Sequence, residues 1–161
     1  MKMKLYILTI LLLIPILSSA QLKGKVVKIT DGDSVTLLDE DNTQHKIRLW
    51  GIDCPERGQD YGTKATNHTK ELCAGKYVTV QIKGTDQYKR TLGIIIVDGT
   101  GVNVNESLLS NGLAWMYRYT KDKNYQSLEN EARKKNINIW SMKNPIEPYH
   151  FRKNKKSVKK S

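Results

Sequence analysis

Five short runs rich in β-branched and aliphatic residues, each ended by a turn signal, constrain this chain more than any other feature. "QLKGKVVKIT" and "DSVTLL" are separated by Asp31-Gly32, a common turn pair. The polar tip "DEDN", Asp39 to Asn42, leads into "TQHKIRLW". There Ile47 and Leu49 share one face and Lys46 and Arg48 the other, by the strand period of two. These runs predict a three-stranded meander. Next, Ala65, His68, Thr69, Leu72 and Cys73 recur at helical spacing, and Gly75 supplies a stop. The pattern predicts a helix over about Thr63 to Cys73. "KYVTVQI" and "LGIIIVDG" are two more strands, the second so continuously apolar that burial on both faces is expected. "VNESLLSNGLAW" reads as a short helix closed by Gly112. "YQSLENEARKKNINIW" reads as a longer surface helix, with Glu129 and Lys134 on a solvated charged face.

Five strands leave two edges that would pair with other chains unless they are covered or joined. Closing a small barrel removes both edges. The expected class is therefore mainly β with helices (α+β), a five-stranded OB-fold barrel plus about three helices. Barrels of this kind bind nucleic acids and oligosaccharides.

The two ends of the chain differ from its middle. "MKMKLYILTILLLIPILSSA" opens with two lysines, runs apolar from Leu5 to Leu17 and closes on Ser18, Ser19 and Ala20. That is the pattern of a secretory signal peptide, and the apolar run is short for a membrane span. The expected organisation is a signal over 1–20, a domain over 21–148 and a basic, disordered tail over 149–161. The mature protein is then secreted or periplasmic, without stable membrane association. Formal charge on the whole chain is +11, and removal of Lys2 and Lys4 leaves +9. The tail segment "RKNKKSVKK" carries six basic residues and no acid. Such a run solubilises a protein and attracts polyanions. Export permits a Cys54–Cys73 disulfide, but two cysteines define no framework, and the pairing stays open.

The chemistry concentrates at two places. Asp31 and Asp33 flank Gly32 at the mouth of a strand, and Asp53 and Glu56 follow a later strand. If those strand ends lie side by side, four carboxylates converge and call for a cation. Oxygen ligands select a hard ion, Ca²⁺ or Mg²⁺. The three histidines lie far apart and there is no Cys-x-x-Cys, so no zinc signature exists. "DGDSVTLLDEDN" lacks the central glycine and final glutamate of an EF-hand. Arg48 leads directly toward Asp53, and Arg90 follows "TDQYK" between two strands. Guanidinium forks match phosphate oxygens. A metal, a carboxylate base and two arginines together meet the needs of phosphodiester hydrolysis. Taken singly, each group has an ordinary surface or turn explanation.

"VVKITDGDSVTLL", "IRLWGIDCPE", "YGTKA", "DQYKRTLG", "VNESLLSNGLAW" and "NIW" occur in the order seen in the thermonuclease, or staphylococcal nuclease, family. The resemblance runs from about Lys23 to Trp140. It implies an OB barrel and a Ca²⁺-dependent nuclease acting on DNA and RNA. Asp33 and Asp53 match calcium-binding carboxylates, and Cys54 stands where a main-chain carbonyl reaches the ion. Asp31 matches an acid supporting that site. Glu56 matches the general base, and Arg48 and Arg90 match the two phosphate-binding arginines. Tyr88 resembles a tyrosine that touches a substrate phosphate. Tyr117 and Tyr119 lie in a region that supplies base-stacking aromatics, with core packing as the rival role. The resemblance also implies 3′-phosphorylated products; stacking tolerates any base, so little base specificity is expected, and a monomer is expected. Gln87, Lys89 and the shorter loop "RGQDYG" depart from the family pattern, which bears on substrate affinity and loop motion rather than on the reaction. The rivals are a non-catalytic nucleic-acid-binding barrel and a cationic protein acting on envelopes through its tail. Retention of Arg48, Asp33, Asp53, Glu56 and Arg90 together argues for catalysis.

Overall fold

The structure is a computed structural model that describes residues 21–158. The expected signal peptide and the last three residues of the tail lie outside the described residues. Strands β1 (Gln21–Asp31), β2 (Ser34–Leu38) and β3 (Gln44–Leu49) form the antiparallel meander. A two-residue strand β4 (Ile52–Asp53) follows, then helix α1 (Gly62–Cys73). β5 (Tyr77–Thr85) and β6 (Thr91–Val97) make an antiparallel hairpin. Helix α2 (Val104–Ser110), β7 (Trp115–Met116), helix α3 (Lys123–Lys134), a 3-10 turn (Asn138–Ser141) and helix α4 (Pro148–Val158) complete the order.

The five longer strands close into a barrel in the order β1-β2-β3-β6-β5. With its helices this is the expected OB-fold, α+β architecture. Closure rests on β1, which pairs with β5 through Gln21–Lys25 and with β2 through Lys25–Asp31. Register shifts between Val26 and Lys28, and between Ile29 and Asp31, bend the strand so that it serves both partners. Gly24 lies where β1 crosses β2, and a Cβ there would stand 2.2 Å from the Leu38 carbonyl oxygen. β3 and β6 pair in parallel and seal the last edge. Leu37, Ile47, Leu49, Val80 and Ile95 fill the interior at 0–1% exposure. Each such side chain contributes about 1.5–3 kcal/mol by leaving water.

Three expectations need correction. β6 is not buried on both faces: Gly93, Ile95 and Val97 point inward, while Ile94 and Ile96 are half-buried under the partial cover of α2. Glu129 is buried rather than solvated, because α3 lies against β7. Its Oε1 accepts from the Met116 N–H at 3.4 Å and from Arg133 at 3.2 Å. The tail is helical over Pro148–Val158. A run of like charge lacks a local reason to fold, but carboxylates distant in sequence supply the missing countercharge. Among the described residues, no helix is long and apolar enough to cross a membrane.

Candidate active site

The β1–β2 turn is clamped from one side by α1. Thr69 Oγ1 donates to the Gly32 carbonyl at 2.6 Å. A Cβ at Gly32 would lie 2.9 Å from the Cβ atoms of both Ala65 and Cys54. No other residue fits that turn. The clamp leaves Asp33, the residue before β2, with 1% exposure, its main-chain carbonyl accepting from the Leu49 N–H at 2.9 Å. Asp53, 2% exposed, sits on β4, which β7 holds through the pair Asp53 and Trp115.

Arg48 joins the two acids. It lies opposite Ser34 in the β2–β3 register, one residue from Asp33. Its Nη1 donates to Asp33 Oδ1, and its Nη2 donates to Asp53 Oδ1 at 2.6 Å. The Cys54 N–H donates to Asp33 Oδ2 at 2.7 Å, and the Ser34 hydroxyl to Oδ1 at 3.2 Å. The strand ends therefore do lie side by side. Asp31 is half-buried at the turn, where its Oδ1 accepts from the Asp33 N–H at 3.3 Å.

Glu56 follows in the loop before α1. Its N–H donates to Gln59 Oε1 at 3.0 Å, and its carbonyl accepts from the Gln59 N–H at 2.9 Å. Gly62 starts α1 so close to this loop that a Cβ would stand 2.2 Å from the Glu56 carbonyl oxygen. The β5–β6 loop is organised by Asp86, which accepts from the N–H groups of Tyr88 and Arg90 and from Arg90 Nε at 2.7 Å. Slight burial works against the Asp86 anion, but these donors hold its pKa below the usual carboxylate range. Lys89 takes a left-handed conformation (φ 61°) in this loop.

Asp31, Arg48, Glu56, Arg90, Tyr88, Tyr117 and Tyr119 all line one groove of about 790 Å³. Tyr88 and Tyr119 are 72% and 74% exposed, and Tyr117 meets Tyr119 edge to face at 5.5 Å. Core packing is therefore not their role. Asp33, Asp53 and Cys54 lie behind the groove, joined to it by Arg48. Cys54 and Cys73 are both buried and unpaired. Burial first, and then the Asp33 charge, pushes the Cys54 thiol well above its usual pKa.

Burial pushes the Asp33 carboxyl up to about 7; Arg48 opposes the shift, while Asp31 and Asp53 add to it. Burial also works against the Arg48 cation, but Asp33 and Asp53 outweigh it and raise its pKa. Arg48 alone does not balance two carboxylates at 1–2% exposure, and Arg152 supplies the second positive charge at Asp53. Their hard oxygens fit Ca²⁺ or Mg²⁺ by donor chemistry. Among the described residues no three His, Cys, Asp or Glu side chains stand close enough to hold an ion alone. The remaining ligands would be main-chain oxygens and water.

Sequence reasoning missed three contributors to this region. Trp50 and Lys121 line the groove. Arg152, on α4, reaches Asp53 and Glu56 from 99 and 96 residues away. No local pattern marks such a contact. The helical spacing of the C-terminal segment could have suggested α4, but not where it docks.

Residues 46–142 match the family described as staphylococcal nuclease homologue. A Haemophilus influenzae protein named as an uncharacterized endonuclease is 35% identical over 157 residues, covering 95% of this chain and 87% of that protein. An Escherichia coli protein of the same description is 39% identical over 137 residues, covering 84% and 88%. A Shigella flexneri micrococcal nuclease is 32% identical over 159 residues, covering 92% and 91%.

Proposed function

This chain belongs to the staphylococcal nuclease family, and from that premise we propose that it is a calcium-dependent nuclease, secreted or periplasmic and monomeric. Its substrates are DNA and RNA, cleaved with little base specificity to give 3′-phosphorylated products. The observation that carries this reading is the Arg48 bridge between Asp33 and Asp53, with Glu56 and Arg90 on the same groove.

Asp33 and Asp53 would hold the ion, with the Cys54 carbonyl as a main-chain ligand and Asp31 in support. When bound, the ion polarises the phosphoryl oxygen of the scissile diester. Glu56 takes the proton of the attacking water as the phosphorus–O5′ bond breaks. Arg48 and Arg90 neutralise the charge that grows on the phosphoryl oxygens. Each terminal nitrogen of Arg48 carries a second N–H beyond the one given to an aspartate. Asp86 aims Arg90 by accepting its Nε–H, which leaves the terminal nitrogens for phosphate. Tyr88 contacts a neighbouring phosphate. Tyr117 and Tyr119 offer stacking surfaces that accept any base, so an open strand suits the groove better than a closed duplex.

A degradation assay on plasmid and single-stranded DNA, with and without a calcium chelator, tests the reading. Activity should vanish on chelation and return with Ca²⁺. Glu56→Gln should lower kcat by about 10²–10⁴-fold while nucleic-acid binding persists. Undiminished turnover in the chelator or in that variant overturns the proposal. Binding without cleavage under every condition would favour the non-catalytic barrel.

A further inference from the structure

Arg152 makes an ion pair of a particular kind. Its Nη1 donates to Asp53 Oδ1 at 3.1 Å and to Glu56 Oε1 at 2.6 Å, and its Nη2 donates to Asp53 Oδ2 at 2.9 Å. Asp53 Oδ1 also accepts from Arg48. Both oxygens of Asp53 and one of Glu56 are therefore committed to guanidinium hydrogens. A divalent ion must therefore compete with Arg152 for the lone pairs of both Asp53 oxygens. The two cations also repel each other across a few ångströms of partly dry protein.

Contacts other than the Arg152 ion pairs hold the start of α4 in this position. Arg118 grips Glu147 with Nε at 3.1 Å and Nη2 at 2.5 Å, and its guanidinium lies 3.8 Å over the Tyr149 ring. Gln59, from the Glu56 loop, donates to the Ile146 carbonyl at 2.6 Å. The Arg152 side chain remains 37% exposed, so water and solutes reach it. The family match ends at residue 142, before α4 begins.

We propose that α4 is a built-in competitor of the cation: Arg152 serves as counter-ion to Asp53 and Glu56 until a divalent ion displaces it, so the helix sets the ion concentration at which the site fills. This inference rests on the reading of Asp53 as a cation ligand. Displacement frees Glu56 Oε1 and returns a guanidinium to the groove, where nucleic-acid phosphates are the next available anions.

Calcium titration of the purified protein by calorimetry tests it, without substrate. Arg152→Gln should tighten the apparent Kd by about tenfold. Glu147→Gln is the sharper variant. It removes a negative charge, so electrostatics alone predicts weaker calcium binding, whereas release of the Arg118 anchor predicts tighter binding. Amide hydrogen exchange across 148–158 should quicken when Ca²⁺ is added to the wild type. An unchanged Kd in Arg152→Gln, or a weaker one in Glu147→Gln, overturns the competitor while leaving the cation reading intact. Asp53→Asn separates the two: if it binds Ca²⁺ as well as the wild type does, the cation reading fails and the competitor fails with it.

Discussion

A lysine at position 48 would keep the charge and lose the span. Arg48 reaches Asp33 with one terminal nitrogen and Asp53 with the other, from a side chain that is largely buried. A lysine ammonium is a single point and cannot give that fixed fork. Arg48→Lys should therefore lower kcat by about 10²-fold or more while the fold persists. A kcat within a few-fold of wild type, in steady-state assays on single-stranded DNA, would remove Arg48 from the transition state. Alternation along "HKIRL" puts Arg48 opposite Ile47 and Leu49, but it does not say which partners wait there. The same limit applies to Glu129, which has the charge of a surface residue and the burial of a core one. A side chain's type is local, whereas its partners depend on what packs beside it.

At the scale of elements, the barrel is joined to its helices by a residue that carries no catalytic signal. Asn105 on α2 is fully buried. Its Nδ2 donates to the Trp50 carbonyl at 2.9 Å and to the Gly93 carbonyl at 3.3 Å, and its Oδ1 accepts from the Ile95 N–H at 3.1 Å. Those bonds tie α2 to β6 and to the segment between Arg48 and Asp53. Asn105→Ala leaves buried carbonyl and amide groups unpaired and should cost about 3 kcal/mol. Urea unfolding measures this, and a loss under about 1 kcal/mol would mean that water replaces the amide. The strand runs, the first helix and the short second helix were legible because period and turn residues are local signals. β4 and β7 were not, since two-residue strands have no period to detect. Yet β4 carries Asp53, and its position depends on β7.

At the scale of the whole molecule, charge governs the encounter with substrate. The full chain carries +11, or +9 without the expected signal, much of it in the C-terminal segment, and Arg90 and Lys121 line the groove. Affinity for single-stranded DNA should fall steeply with salt, by about −0.7 in log–log slope for each phosphate contacted. Three contacts would give a slope near −2. Fluorescence anisotropy on the Glu56→Gln variant measures it without cleavage, and an affinity indifferent to salt would place recognition in stacking alone.

The sequence by itself determined the five barrel strands, the turn at Asp31-Gly32, the helix after the third strand and the residue types able to hydrolyse a phosphodiester. Those follow from local periods and from motif order, which a chain carries whether folded or not. Tertiary structure alone decided that Asp33 and Asp53 share one guanidinium, that Tyr88 and Tyr119 face solvent and that Glu129 is buried. It alone brought Arg152 back across the chain to Asp53 and Glu56. Such contacts arise from barrel closure and helix docking, whose energies come from partners far apart in the chain and leave no mark on the residues between them.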